Sequence, residues 1–230
     1  MREEVRQCQN CKGSFTIDVS DFSFYEKIKV PPPTWCPECR AKRRAIFRNE
    51  RKLFRVKEAI TGKEIFSGIP PDAGITIYDR DYWWSDKWDP MDYGRDYDFS
   101  RSFFEQFREL LYQVPWRARN FTELINSDYC ENSGWSKNCY LCFNSANLED
   151  CAYINGGDGL KNSFDLTYSA NGEICCGNYG SDNCYRVFFS HNCLECNEVW
   201  FSKNLTGCSY CFGCVNIQNK KYYIFNKPYT

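Results

Sequence analysis

The chain has 230 residues, with 29 Lys and Arg against 30 Asp and Glu, and is 43% apolar and 18% aromatic. That is enough apolar material for packed cores in one large or two small domains, and the near-zero net charge conceals strong differences between segments. No apolar run approaches the ~20 residues that span a bilayer, and Met-Arg-Glu-Glu is not a basic-then-apolar leader, so a cytoplasmic location is expected. Its sixteen cysteines are then reduced, acting as metal ligands or small core residues.

In chain order, the first feature is Cys8-x2-Cys11 and, 24 residues further on, Cys36-x2-Cys39. Two such pairs supply four soft thiolates, which suit one tetrahedral structural zinc with no position left for water. Four unrelated buried cysteines are the alternative, but paired knuckles rarely arise by chance. Phe15, Phe22, Phe24 and Tyr25 can cover the metal, and Pro31, Pro32 and Pro33 stiffen the approach to the second pair.

Residues 40–57 carry nine Lys or Arg against a single acid, Glu50, with no Pro or Gly. These are good helix formers, and the segment is predicted as a basic helix. At 100° per residue, Arg40, Arg44, Arg48, Arg51 and Arg55 form one stripe, and Ile46, Phe47, Leu53 and Phe54 form an inward face. With Arg43 and Lys52, the stripe suits phosphate contacts, because a guanidinium presents a planar fork of donors. A solvated face, or one paired with acids of the same chain, is the other reading.

Cys8-Gln-Asn-Cys11, Phe15, Asp21-Phe-Ser-Phe-Tyr25 and Pro33-Thr-Trp-Cys36-Pro-Glu-Cys39-Arg40 resemble the zinc-ribbon or treble-clef domain of uncharacterised bacterial proteins. The resemblance covers about the first fifth of the chain. Arg48-Asn-Glu-Arg51, Trp83-Trp-Ser-Asp-Lys-Trp88-Asp-Pro90, Phe103-Phe-Glu-Gln-Phe107 and the cysteine-rich tail are similar to longer members, whose function is unassigned.

Residues 56–63 have the spacing of a second knuckle without thiols, and Tyr78-Asp-Arg-Asp81 stands where a second Cys pair would follow. An ordinary hairpin accounts for them equally, with strands near 64–66 and 75–78. Residues 79–98 form an acidic, aromatic connector carrying Trp83, Trp84, Trp88, Tyr93 and Tyr97, which cover a domain joint or anchor a partner. Ser102-x2-Glu105 is a capping box opening a helix with Phe103, Phe104, Phe107, Leu110 and Leu111 on one face, ended by Pro115.

The tail is periodic. Lys137-Asn-Cys-Tyr, Lys161-Asn-Ser-Phe, Asp182-Asn-Cys-Tyr and Lys203-Asn-Leu-Thr recur at intervals of 24, 21 and 21 residues, as do Ser145-Ala-Asn147, Ser169-Ala-Asn171 and Ser190-His-Asn192 over the first two. Repeats of about 20 residues with β-prone segments predict a parallel β-solenoid, right-handed β-helix-like, of about four coils. The extra three residues of the first interval are assigned to a loop insertion at Gly156-Gly-Asp-Gly159, and matching Asn residues to an amide ladder at the corners. Cys139, Cys151, Cys175, Cys184, Cys193, Cys196, Cys208, Cys211 and Cys214 then fit a narrow interior. A metal cluster at Cys193, Cys196, Cys208, Cys211 and Cys214 is the sharper alternative. His191, the sole histidine, is placed at an exposed position.

The expected organisation is a mixed fold: a zinc-ribbon domain with its basic helix at 1–57, a connector at 58–118 and the all-β solenoid at 119–230. The leading functional expectation is a non-enzymatic protein with one structural zinc that binds RNA or DNA, RNA or a ribonucleoprotein being favoured. A protein-interaction scaffold using the solenoid or the aromatic connector is the alternative. A carbohydrate-active β-helix enzyme would need Asp158, Asp165, Asp182 and Glu195 to converge.

Overall fold

A computed structural model describes residues 2–46, 49 and 51–229. The chain divides into two compact units, Met1–Asn49 and Glu50–Thr230. In the first, β1 (Glu4–Gln7) and β2 (Ser14–Ile17) form an antiparallel hairpin, followed by α1 (Val19–Lys27) and α2 (Pro37–Ala45). Strand alternation turns Phe15 and Ile17 inward, onto Cys8, Cys36 and Cys39, with Phe22, Tyr25 and Trp35 at the margin.

The expected helix over 40–57 is not formed. α2 stops at Ala45, and Phe54–Lys57 is a strand, β3, paired antiparallel with β4 (Glu64–Ser67). Along β3 the chain alternates, Val56 buried between exposed Arg55 and Lys57, which is the period of a strand. Pairing with β4 overrides a helix propensity that residues 51–57 share with any Lys- and Arg-rich segment. Arg40, Arg43 and Arg44 therefore lie on α2, while Arg51, Lys52 and Arg55 belong to the second unit. Arg48 lies outside the described residues.

Past β4, β5 (Ile77–Tyr78) runs into the short helix α3 (Arg80–Trp83) and pairs in parallel with β6 (Trp116–Arg117). Val56, Ile77 and Ala118 form the local core, bordered by Phe54, Ile65 and Ile69. Between α3 and β6 lies α4 (Phe103–Gln113), whose capping residue Ser102 accepts the Glu105 N–H as the sequence predicts. Two of the connector's three indole N–H groups find carbonyls, Trp83 on Pro115 and Trp88 on Trp83, so these two rings are half-buried structural members, while Trp84 is exposed.

From Phe121 to Ile224 the chain winds a parallel β-solenoid of about nine turns. Register advances by twelve residues, through Glu131, Phe143, Asn155, Thr167, Tyr179, His191 and Lys203. Within each coil every third residue takes a left-handed conformation, as at Asn138, Leu141, Asn144, Asn147 and Asp150. The residue after each points inward: Cys139, Cys142, Ser145, Leu148, Cys151. Each coil is thus four three-residue sides joined at four corners, and Asn, Asp and Gly recur at the corners because they tolerate positive φ best.

This corrects the expected four coils of 21–24 residues. Twenty-four residues are two coils, whereas twenty-one are seven sides, so Asp182 lies one side away from Lys161. The sequence motif repeats with the side, not with the coil. Nor is Gly156–Gly159 an insertion, since Gly157 pairs in register with Ser169 and both outer glycines occupy ordinary corners.

Twelve of the sixteen cysteines lie in the solenoid, all buried. Inward Ser and Cys, Ser181 apart, share one task, bonding carbonyls at the sides of the coil. Ser163 Oγ donates to Lys161 O at 2.7 Å and accepts the Cys175 N–H at 3.0 Å. Cys139 Sγ donates to Lys137 O at 3.3 Å and Cys151 Sγ to Leu160 O at 3.4 Å. A small side chain with one donor suits this narrow interior, which it shares with Leu148, Ile154, Leu160 and Leu166. On the outside, the amide ladder is present: Asn120 to Asn132 to Asn144, and Asn192 to Asn204 to Asn216, at 2.7–3.3 Å. Lys137, Glu149 and Lys161 alternate in charge one coil apart. The final strand, Lys221–Ile224, is covered on its free edge by antiparallel Lys227–Pro228. No described helix is long and apolar enough to cross a membrane.

Candidate metal centre

Cys8 directly follows β1, Cys11 lies in the turn before β2, Cys36 caps α2 and Cys39 lies in its first turn. Their four sulfur atoms all lie within 4.8 Å of one another, the one such group of Cys, His, Asp or Glu among the described residues. A tetrahedral ion with metal–sulfur bonds of ~2.3 Å separates its sulfurs by about 3.8 Å, and Cys11 Sγ lies 3.8 Å from Cys36 Sγ. The remaining separations, none above 4.8 Å, are close enough for the four thiolates to close on one ion. The twelve solenoid thiols do not gather in this way, so the cluster alternative at Cys193 to Cys214 has no support in the geometry.

The backbone prepares the site for negative charge. Burial opposes ionisation of Cys8, but the N–H groups of Cys11, Cys36 and Asn10 outweigh it and bring this thiol down to about 6. The Cys39 N–H favours the Cys36 thiolate too, yet burial and the neighbouring thiols of Cys39, Cys11 and Cys8 prevail, pushing Cys36 up to about 11. Four thiolates cannot crowd together without a cation, so loading a metal releases protons here. Asn10, which sequence reasoning passed over, donates its side-chain amide to Cys39 Sγ at 3.3 Å.

The same backbone scaffold recurs fifty residues later. Cys8 N–H to Gly13 O (2.9 Å) and Lys12 N–H to Cys8 O (2.9 Å) are matched by Glu58 N–H to Lys63 O (3.0 Å) and Gly62 N–H to Glu58 O (3.1 Å). Gln9 N–H to Thr34 O, which joins the knuckle to the approach of α2, is matched by Ala59 N–H to Ile77 O. Cys36 (φ −63°, ψ 160°) and Asp79 (φ −54°, ψ 148°) both precede a helix with closely similar dihedrals. Residues 54–83 are therefore a second clef rather than an ordinary hairpin, with Glu58, Thr61, Asp79 and Tyr82 where the first has Cys8, Cys11, Cys36 and Cys39.

In place of thiolate and metal, this clef has the buried carboxylate of Glu58. It accepts the Ile60 N–H at 2.7 Å, the Thr61 N–H and the Thr61 hydroxyl. Burial disfavours its charge, but the Thr61 hydroxyl and the N–H groups of Ile60, Thr61 and Lys63 hold it below the ordinary carboxylate value. Ile60 and Thr61 correspond to Asn10 and Cys11, whose N–H groups serve Cys8. The sequence signals are the knuckle spacing of residues 56–63, the placement of Tyr78-Asp-Arg-Asp81, and the fifty-residue offset between Cys8-x2-Cys11 and Glu58-x2-Thr61.

The remaining candidates are dispersed. Asp158 and Asp182 occupy one outward column two coils apart, about 9.6 Å at strand spacing, and are engaged by Asn147 and by the Ala170 N–H. Asp165 and Glu195 stand on other columns, so the four do not converge. His191 is half-buried and stacked on Tyr179 at 5.0 Å rather than free at the surface. On α2, Arg43 lies over Trp35 at 5.2 Å, and none of Lys42, Arg43 and Arg44 pairs with a described acid. No protein-family model and no curated protein sequence matches the chain.

Proposed function

We propose that this chain is a non-enzymatic zinc protein that binds nucleic acid through α2. The observation that carries the reading is a helix whose N-terminus is fixed by two metal ligands and whose exposed surface carries Lys42, Arg43 and Arg44 without described acidic partners. Zinc is the ion that best suits four thiolates in a closed tetrahedral set. Residues 1–49 contain ten Lys or Arg and six Asp or Glu, a net +4, against −5 for the rest of the chain. Positive charge concentrated on one small unit is the electrostatic footprint of a phosphate partner. An indole beside these cations, Trp35 under Arg43, favours RNA, whose unpaired bases stack on aromatic and guanidinium planes. Arg51, Lys52 and Arg55 are not part of this helix, and Arg55 is paired with Glu64.

The test is whether purified protein retains nucleic acid, read as the absorbance ratio before and after nuclease. Binding to a mixed RNA pool should then fall with salt at a log–log slope of roughly −2 to −4, for three or four phosphate contacts. Reversal of Lys42, Arg43 and Arg44 to Glu should abolish it while the melting temperature moves by only a few degrees. A wild-type protein that binds neither RNA nor DNA at low salt refutes the reading. The scaffold alternative draws on one specific observation, the outward apolar face of α4, where Phe103, Phe104 and Phe107 are exposed.

A further inference from the structure

Fifteen of the sixteen cysteines are buried, and Cys11, in the turn between β1 and β2, is the exposed one. A cysteine reacts according to its access and its thiolate character, and Cys11 combines exposure with a place in a thiolate centre. Its neighbours in that centre are shielded twice over. They are buried, and Cys8 Sγ accepts the Cys36 N–H at 3.2 Å while Cys39 Sγ accepts the Asn10 amide at 3.3 Å. Hydrogen bonds of this kind stabilise a thiolate and lower its nucleophilicity. The contact of Cys11 Sγ is instead with another sulfur, that of Cys36, at 3.8 Å. Gly13 lies beside it. A Cβ at this residue would stand 3.5 Å from Cys11 Sγ, so the missing side chain leaves the sulfur open on that flank.

We infer that Cys11 is an oxidation site: a peroxide that reaches it past Gly13 joins Cys11 to Cys36 in a disulfide and empties the metal centre. The Cys11 thiolate attacks one peroxide oxygen. A sulfur–oxygen bond forms, the O–O bond breaks, and the other oxygen leaves with one proton as water. The Cys36 thiolate then attacks Cys11 Sγ, and the hydroxyl on that sulfur leaves with a second proton as a second water. Two thiolates are oxidised to one disulfide and one peroxide is reduced to two waters. Cys36 is the partner because its sulfur is already in contact, from a segment 25 residues further along the chain.

The site then keeps two thiolates, Cys8 and Cys39, too few to close a tetrahedral set. Cys36 caps α2 and Cys39 lies in its first turn, so loss of the ion releases the start of the helix that carries Lys42, Arg43 and Arg44. Peroxide would thus weaken RNA binding, and only this last consequence rests on the function proposed above.

The test treats the zinc-loaded full chain with a small excess of hydrogen peroxide, reading released zinc with a chromogenic chelator and the cysteines by peptide mass mapping. Zinc release together with a Cys11–Cys36 disulfide is expected, the twelve solenoid cysteines remaining free. Gly13→Ala sets a methyl group against Cys11 Sγ at van der Waals distance. Gly13 has no left-handed φ to strain an alanine, so the zinc content should be unchanged and release should slow by about threefold or more. RNA binding, where the wild type shows it, should fall as fast as zinc leaves. A wild type that binds no RNA refutes the proposed function and leaves zinc release to be read by itself. Zinc retained under peroxide, a disulfide between any other pair, or equal rates in wild type and Gly13→Ala would overturn the assignment of Cys11.

Discussion

Replacing Glu58 by Gln tests whether a carboxylate has taken over the metal's task in the second clef. The side chain is 3% exposed and nearly isosteric with Gln, so packing is preserved and only charge and one acceptor are lost. Hydrogen bonds to a charged group contribute about 1.5–3 kcal/mol against about 0.5–1.5 for neutral ones, and a buried N–H left facing the Gln amide N–H costs a further ~1–3. With donors from Ile60 N–H, Thr61 N–H and the Thr61 hydroxyl, the gross loss is about 3–5 kcal/mol. The knuckle is covered by only a thin layer of protein, and water screening brings the expected destabilisation nearer about 2 kcal/mol. Urea unfolding followed by Trp fluorescence reads it at neutral pH, because Trp83 and Trp88 belong to the same unit. The pH dependence has a definite sign. Since the folded-state pKa of Glu58 lies below its ordinary 4.5, its contribution is fully present above 4.5 and is lost as pH falls through the lower folded value. The Gln variant should lack that acid-side component. A variant within about 0.5 kcal/mol of wild type at pH 7, the range of an ordinary surface change, would refute the assignment of Glu58 as the metal's replacement.

Elemental analysis should find about one zinc per chain; Cys36→Ser or chelation should remove it and unfold residues 1–49 while the solenoid's β-type circular dichroism persists, and a second equivalent would contradict the metal-free second clef. Gly177→Ala should destabilise the solenoid by about 1–3 kcal/mol, because φ is +67° and the new Cβ would lie 2.6 Å from the Phe189 ring. Gly62→Ala, at φ +72° with nothing within 4 Å, should cost only about 1 kcal/mol, so equal losses at the two sites in thermal melts would remove the role assigned to the Phe189 ring.

The metal site was legible because a knuckle is a local geometric demand: two thiols three residues apart, twice, before a helix start. The solenoid was legible as a class for a similar reason, but its pitch was not. Every side presents the same pattern of corner, inward and outward residue, so matching Lys137 to Lys161 or Lys161 to Asp182 is equally good, and nothing local reports how many sides close a coil. The error at residues 51–57 has a different origin. The decisive partner of Phe54–Lys57 is a strand beyond the Gly62 turn, and propensity within the segment carries no trace of it. Periodicity correctly gave α4 an apolar face but not its direction, which is set by the contacts of Gln106 and Glu109 with residues 95–101. Glu58 stayed hidden because a carboxylate serving a metal's purpose needs no second ligand at fixed spacing.

A solenoid built from three-residue sides has an unusual tolerance to changes in length. Inserting or deleting one residue would turn the following inward positions to the outside and expose a run of cysteines and leucines. Inserting or deleting three leaves every later residue with its inward, outward or corner role, and rotates the rest of the chain by a quarter turn about the axis. The columns on the surface would be dealt out afresh while the interior stayed packed. The Lys161 and Asp182 motifs already stand one side apart, and this architecture can therefore exchange the faces it presents to a partner without rebuilding its core.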